Sequence, residues 1–455
     1  MQNKLLKFII FYLFSLIFFS ACSADKKYDK KKAINLLTNN QEIVFSHKKV
    51  QLSKSVNKQS FLNNDANNFG HLTKNYQVKQ QNILGFLPKQ FYYFDKQTIY
   101  EKFYLQNANQ TFIFEPQIHN NNLFVLTASG HLQKYQIISA NKTLSFQLLW
   151  QKSVSTKIAQ HNYRLLKLSW CQEMLFLIDG SNKITSLSVD NGDLLWQKEL
   201  SAMLSSAPIC TANAVFVSSG NNKTFSLQKN NGNINWIHQG LIANTAILNS
   251  PNLAFWHENL LVAYASGDVY LLKQKTAEAL WQNNANLYQN TFHQDYLNDI
   301  NANMVIDDNV LFVLGNGGLL KSLNLADGKE LWRLENSGLA NFWLAGDNLF
   351  FINKQNQLTA LDKKNARINW QSQLPYLAKT NKLSSKIIYN GLVVAGEKIL
   401  ITSQQGELFI VSASNGNIET QINLGAKIFH QPLVLNDKIY LHLLHKLTSQ
   451  LIVLQ

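Results

Sequence analysis

Short apolar runs recur along most of the chain, separated by tight polar turns, and the last run of each group carries a tryptophan. Residues 190–196 and 230–236 are two copies of this turn and its tryptophan run. Asn-Gly and Asp-Gly between strand-like runs are strong hairpin signals, and they predict type I′ turns whose two central residues have positive φ. Residues 207–236 contain one complete group, in which three further apolar runs precede the tryptophan.

The groups repeat about every 45 residues, which is the length of one four-stranded propeller blade. A tryptophan stands in the fourth run of six groups: Trp150, Trp196, Trp236, Trp281, Trp332 and Trp370. The next group keeps the turn but has Thr420 at the tryptophan position. One tryptophan per blade is typical of packing between blades, because each buried ring removes about 150–250 Å² from water.

The two ends of the repeat region complement each other. Residues 431–454 supply three strands without a fourth, and residues 98–102 supply a fourth strand without a blade, with Tyr100 in place of tryptophan. Joining them closes the ring and removes open sheet edges. The predicted fold is all-β, an eight-bladed β-propeller of four-stranded antiparallel blades closed by N- and C-terminal strands. Seven blades are the alternative if the N-terminal strand is misread.

The N-terminus predicts export. A basic start and the apolar run 8–19, too short for a membrane span, are typical of a signal peptide over residues 1–21. The following Cys22 resembles the acylation site of bacterial lipoproteins, where acyl chains such as palmitate anchor the protein; an ordinary secretory leader is the alternative. In that class Ser23 implies sorting to the outer membrane. Residues 22–96 are poor in periodic apolar residues and predict an acylated, mostly disordered tether, and residues 97–455 form the propeller.

Composition and the remaining polar residues argue against catalysis. The net charge of +14 favours anionic surfaces, whereas an Arg-rich stripe or a nucleic-acid recognition motif is missing from the sequence. His442 and His445 are three apart on a predicted strand, so they point to opposite faces and a shared metal ion is not expected. Cys171 and Cys210 stand at similar places in successive repeats. Two small buried hydrophobic residues are the expected interpretation, with a disulfide as the alternative.

The turn-and-tryptophan pattern resembles the pyrroloquinoline-quinone-like repeat, and residues 322–332 are close to its consensus. This repeat occurs in quinone-dependent dehydrogenases and in scaffold proteins, so the fold alone does not decide the function. The dehydrogenases carry an adjacent Cys-Cys pair and an acidic calcium site. This sequence has neither, and we expect no catalytic residue, no metal and no cofactor. A quinone-dependent dehydrogenase is kept as the alternative.

An exported, lipidated propeller of this repeat is similar to the BamB family of outer-membrane assembly lipoproteins. Residues 296–301 read Tyr-Leu-Asn-Asp-Ile-Asn where the family has Arg-Leu-Ser-Asp-Val-Asp. In that family this loop contacts a periplasmic module of the central barrel subunit, which implies partner-binding roles for Leu297, Asp299, Ile300 and Asn301. A second family loop would fall at residues 244–250, without its arginine.

The resemblance implies a non-enzymatic scaffold that assists the folding and insertion of outer-membrane proteins. Its partners would be the barrel-assembly central subunit and unfolded outer-membrane proteins, and it would act as a monomer within a complex. Its location would be the periplasmic face of the outer membrane, held by the lipid anchor. An envelope lipoprotein propeller with another client is a further alternative.

Overall fold

Antiparallel strands make up the regular structure of the described part of the chain. The computed structural model describes residues 102–103, 117–119, 121–127, 130–140, 143–154, 166–241, 253–284, 304–315, 319–335, 342–378, 385–395, 397–428, 430–435, 438–445 and 448–454. All of them belong to the unit Phe45–Gln455. Among these residues no helix has the length and apolar character needed to cross a membrane. The predicted signal peptide, the tether and Cys22 lie outside the described residues.

Seven sheets have four strands each, in which every strand pairs with the next one along the chain. We number these sheets as blades 1 to 7 in chain order. The strands of the first four blades are Gln117–His119, Asn122–Leu126, His131–Ala140 and Thr143–Ser153; Leu166–Cys171, Met174–Asp179, Lys183–Ser188 and Leu194–Glu199; Ile209–Cys210, Ala214–Ser218, Lys223–Gln228 and Ile234–Gln239; Ala254–Trp256, Asn259–Ala263, Asp268–Lys273 and Ala279–Asn284. The strands of the next three are Val305–Asp307, Val310–Leu314, Leu320–Asn324 and Glu330–Leu334; Trp343–Ala345, Asn348–Ile352, Gln357–Asp362 and Ile368–Gln373; Tyr389–Ala395, Lys398–Ser403, Glu407–Ser412 and Ile418–Asn423.

A further sheet, the closing blade, combines strands from both ends of the described chain. Its strands are Lys102–Phe103, Lys427–Ile428, Leu433–Leu435, Lys438–His445 and Thr448–Leu454. Lys102 pairs with Ile452, and Phe103 pairs with Leu451. This confirms the predicted all-β propeller closed by N- and C-terminal strands, and the number of blades stays a prediction. The N-terminal strand is described only at Lys102–Phe103, and Tyr100 lies outside the described residues. A two-stranded ribbon, Leu377–Ala378 with Ser385–Lys386, lies between blades 6 and 7.

The turns between third and fourth strands differ from the predicted type I′ geometry. In blade 2 the backbone N–H of Ser188 donates to Asp193 O (2.8 Å), which closes a four-residue loop, and the N–H of Gly192 donates to Ser188 O (2.9 Å). Gly192 has φ +73°, whereas Asn191 is not among the positive-φ residues. A single left-handed residue suffices because the pairing register shifts between Ser186 and Leu187, as in a β-bulge. The prediction of two positive-φ residues was therefore wrong.

Each fourth-strand tryptophan packs on the corresponding turn of the next blade. Its indole Nε1 donates to the backbone carbonyl that follows that blade's third strand, at 2.7–3.1 Å. The pairs are Trp150–Val189, Trp196–Lys229, Trp236–Gln274, Trp281–Leu325, Trp332–Lys363 and Trp370–Ala413. A Cβ atom at Gly328 would lie 2.6 Å from the Trp281 ring, and one at Gly232 would lie 2.6 Å from the Trp196 ring. Glycine holds this position after four of the six tryptophans, and alanine with positive φ, Ala277 and Ala366, holds it after Trp236 and Trp332. The turn backbone of one blade is thus the packing surface for the ring of the previous blade.

The hydrophobic core is divided among the faces where successive blades meet. Buried clusters span blades 1 and 2, 2 and 3, 3 and 4, 4 and 5, and 5 and 6, and one larger cluster runs through blades 6 and 7 into the closing blade. In the second of these clusters, Cys171 and Cys210 form a disulfide. Their expected interpretation as two independent buried hydrophobic residues was wrong, because the ends of two neighbouring first strands bring their Cα atoms within 6.3 Å.

Candidate partner-binding face

The connections between blades leave from the same end of the sheets as the turns between second and third strands, because all four strands of a blade alternate in direction. Segment 242–252 joins blade 3 to blade 4, and segment 285–303 joins blade 4 to blade 5. The predicted partner-binding residues Leu297, Asp299, Ile300 and Asn301 belong to segment 285–303. They lie outside the described residues, and so do residues 244–250, the position of the second family loop. The described residues around the ends of both segments form what we call the partner face: Met203, 218–224, 238–241, 264–270, 282–284 and Lys321.

A chain of hydroxyl groups connects blades 3 and 4 at this face. Tyr264 is only 1% exposed, and its hydroxyl lies 2.9 Å from Thr224 Oγ1 and 2.7 Å from His238 Nδ1. The Oγ of Ser218 lies 2.7 Å from Thr224 Oγ1 and extends the chain into blade 3. Burial raises the pKa of Tyr264 well above its usual range and lowers the pKa of His238. Both groups are therefore neutral at physiological pH and act as fixed hydrogen-bonding partners.

The start of segment 242–252 is held by both blades. The side-chain amide of Asn222 donates to Leu241 O (2.5 Å), and its Oδ1 accepts the backbone N–H of Ala265 in blade 4 (2.9 Å). Gly240 packs so closely on Tyr264 that a Cβ atom would lie 2.4 Å from the ring. One amide side chain and one glycine thus fix the direction in which the chain leaves blade 3.

The start of segment 285–303 is fixed by a second polar group of residues. Asn284, the last described residue before the segment, donates through Nδ2 to Asp268 Oδ1 (3.0 Å). Its backbone oxygen accepts a hydrogen bond from Lys321 Nζ in blade 5 (2.7 Å). Lys321 is 3% exposed and forms an ion pair with Glu330 (3.2 Å). Burial lowers the pKa of Lys321, and Glu330 opposes this effect. The buried cation is satisfied on both sides, so blade 5 holds the last residue of blade 4 in place.

Two apolar side chains stand exposed beside the same turn of blade 3. Met203 is 55% exposed and Leu241 is 58% exposed. The backbone oxygen of Met203 accepts the N–H of Gly220 (3.2 Å), and Leu241 is bound to Asn222 as described above. Single exposed apolar side chains are common on protein surfaces, and larger contiguous groups of them mark interaction sites. Met203 and Leu241 were not recognised in the sequence, because nothing in the local pattern separates them from core residues.

Metal-ligating side chains do not cluster in the described part of the chain. Within it, no group of three or more His, Cys, Asp or Glu residues could hold a metal ion. His442 stacks on His430 of the same blade, with ring centroids 5.6 Å apart. The six tryptophans donate their only polar hydrogen to neighbouring blades. Their arrangement holds the blades together.

These features define the class of the protein, a β-propeller of pyrroloquinoline-quinone-like repeats. The family model described as "Outer membrane protein assembly factor BamB" matches residues 147–372. The outer membrane protein assembly factor BamB of Shewanella oneidensis is 23% identical over 270 residues, which are 58% of this chain and 65% of that protein. The chain thus aligns with just under two thirds of this relative's length. Over these residues the chain is similar to BamB propellers.

Solved structures agree on the fold. BamB from Moraxella catarrhalis superposes with a TM-score of 0.59 at 15% identity, covering 79% of this chain and 97% of that one. A europium-containing methanol dehydrogenase superposes with a TM-score of 0.57 at 11% identity, covering 75% of this chain and 84% of that one. Because both identities are low, these similarities concern the propeller fold alone.

Proposed function

We propose that this protein is a non-enzymatic lipoprotein scaffold of the outer-membrane β-barrel assembly machinery. It binds a periplasmic module of the central barrel subunit through segment 285–303, with Leu297 and Asp299 as the main contacts and Ile300 and Asn301 as weaker ones. The observation that carries the proposal is the construction of the partner face. Both connections that correspond to the family's contact loops start from residues held by two blades, Leu241 and Asn284.

A rigid start matters because a loop that binds a partner loses less conformational freedom when its ends are already fixed. Asn222 and Lys321 supply this constraint from blades on either side of the two segments. Met203 and Leu241 add exposed apolar area beside the polar frame, a mixture that is typical of protein interfaces. The face is therefore suited to a folded partner module.

The binding experiment uses purified full-length protein and the purified periplasmic module of a barrel subunit, with the affinity measured by calorimetry. Asp299→Ala should weaken binding by at least about tenfold, as expected for a contact residue at an interface. The matched control is Asp190→Ala, which changes an exposed aspartate in a turn at the opposite end of blade 2. Equal affinities for the wild type and Asp299→Ala would contradict the proposed contact.

Anchoring by acylated Cys22 is a separate part of the proposal. The substitution Cys22→Ala removes the only proposed acylation site and should release the protein from envelope membranes into the soluble fraction. Cell fractionation followed by immunoblotting measures this directly. Unchanged membrane association of the variant would refute the lipid anchor, and would leave the partner-binding proposal to its own experiment.

A further inference from the structure

The disulfide Cys171–Cys210 joins the innermost strands of two neighbouring blades. Cys171 is the last residue of the first strand of blade 2, and Cys210 is the last residue of the first strand of blade 3. The two cysteines are 39 residues apart in the sequence. The bond therefore closes a loop that contains the other three strands of blade 2 and the connection to blade 3. The junction between blades 2 and 3 thus has a covalent link, whereas the other junctions of the described blades are held by packing and hydrogen bonds.

Neither sulfur is accessible once the two blades have packed. Cys171 is 0% exposed and Cys210 is 2% exposed. Both belong to the buried cluster between blades 2 and 3, together with Phe176, Val215 and the blade tryptophan Trp196. A thiol in this position could be oxidised only after the interface had opened, because thiol–disulfide exchange needs in-line access of one sulfur to another.

We infer that, when the protein folds, Cys171 and Cys210 are oxidised by thiol–disulfide exchange before blade 3 packs on blade 2. The thiolate of one cysteine attacks the disulfide of an oxidant and forms a mixed disulfide, releasing one oxidant sulfur as a thiolate. The thiolate of the second cysteine then attacks the Sγ of the first cysteine, which forms the Cys171–Cys210 bond and releases the second oxidant sulfur as a thiolate. The oxidant leaves in its reduced form, as a dithiol protein or as two small thiols. Two protons leave the cysteines, two electrons pass to the oxidant, and no other reactant is needed. The oxidant is a dithiol–disulfide protein or a small disulfide such as oxidised glutathione.

The order of events follows from the topology of the loop. Blade 2 forms from contiguous residues, whereas the junction with blade 3 needs residues 209–228 to fold back on it. The two cysteines are therefore still exposed when blade 2 has formed alone, and they become buried when blade 3 docks. The connection enclosed by the disulfide is also bound to blade 3, because the backbone N–H of Gly220 donates to Met203 O.

The order is tested with purified full-length protein that has been unfolded and reduced. In one experiment oxidised glutathione is present from the start of refolding. In the other, the reduced protein refolds first and oxidised glutathione is added afterwards. Alkylation at successive times, followed by mass spectrometry of the peptides with Cys171 and Cys210, measures the bond. Bond formation should be at least about tenfold slower in the second experiment, because attack then requires local opening of the interface. Equal rates in the two experiments would overturn the inference.

A mutant cycle tests the bond itself. If the two cysteines act as one link, Cys171→Ala, Cys210→Ala and the double variant should lower the melting temperature by the same amount. Two independent buried side chains would give additive losses, and that result would overturn the inference. If a variant does not fold, alkylation of the wild type in denaturant without reductant replaces it. Both cysteines should then be protected from the reagent, and their modification would show that the bond is not formed.

Discussion

The contact between a blade tryptophan and the next glycine turn is the repeating unit of this fold, and Gly328→Ala tests it. Gly328 has φ +69°, and the added Cβ atom would lie 2.6 Å from Cδ2 of Trp281. Left-handed backbone costs a residue with a Cβ atom about 1–2 kcal/mol. Overfilling a packed interface costs about 1–3 kcal/mol more, because the ring and the turn must move apart. Gly328→Ala should therefore lower the free energy of unfolding by roughly 2–5 kcal/mol.

Thermal unfolding followed by calorimetry or circular dichroism measures the effect. With an unfolding entropy of about 2.1 cal/mol/K per residue over roughly 350 residues, the melting temperature should fall by roughly 3–7 °C. The control is Ala366→Gly in blade 6, where alanine occupies the same turn position with φ 58° and the same hydrogen bond to the end of the third strand. This variant relieves left-handed strain and should change the stability by less than about 1 kcal/mol.

The double variant with Trp281→Phe separates the two contributions to the loss. A smaller ring leaves room for the new methyl group. The double variant should therefore lose less stability than the sum of the losses of Gly328→Ala and Trp281→Phe. Strictly additive losses would show that the ring and the turn are not in energetic contact. A stability of Gly328→Ala equal to that of the wild type would refute the packing explanation of the repeat.

Three further predictions concern closure, pH and the partner face. Deleting residues 451–455 removes the strand positions that pair with Lys102–Phe103, so the melting temperature of the whole propeller should fall; an unchanged value would contradict closure by both termini. Burial lowers the pKa of His430 to about 4 and of His442 to about 3, against an ordinary value near 6.5. The unfolded chain therefore binds more protons than the folded one below pH 6.5, and the stability should fall from pH 6.5 towards pH 4. The decline should be weaker when both histidines are replaced by glutamine. Equal pH profiles of thermal unfolding for the wild type and this variant would refute the prediction. Lys321→Met removes a buried hydrogen bond and leaves Glu330 without this cation. The free energy of unfolding in denaturant should fall by about 1–3 kcal/mol, and partner binding should weaken. An unchanged stability together with an unchanged affinity would show that Lys321 does not hold the partner face in place.

The fold could be predicted from the sequence because each blade repeats the same local signals. Alternating apolar runs, a turn with glycine and a tryptophan after it are short-range features, and they place Trp281 and Gly328 correctly in their strands and turns. The position of Thr420 in the seventh turn-bearing repeat also agrees, since it pairs with Ile410 as Trp370 pairs with Ala360. Such positions are determined by strand pairing within one blade.

Features that depend on contacts between blades were not predictable in the same way. The Cys171–Cys210 disulfide requires the ends of two first strands to meet, which the 39-residue spacing does not specify. The hydrogen bond between Tyr264 and His238 likewise joins residues that are 26 positions apart and belong to neighbouring blades. The turn type was wrongly predicted because Asn-Gly fits both a two-residue turn and the longer loop with a bulge that is observed. Leu297 and Asp299 lie outside the described residues and stay predictions.

The proposed role of this propeller is that of a scaffold bound to the barrel-assembly machinery through the segment that contains Asp299. The most direct measurement is affinity capture of the full-length protein from cross-linked, detergent-solubilised envelopes, with the captured proteins quantified by mass spectrometry. The central barrel subunit should be captured with the wild type and with Asp190→Ala, and should be strongly depleted with Asp299→Ala. Capture of the wild type without any barrel-assembly subunit would contradict the proposed scaffold role.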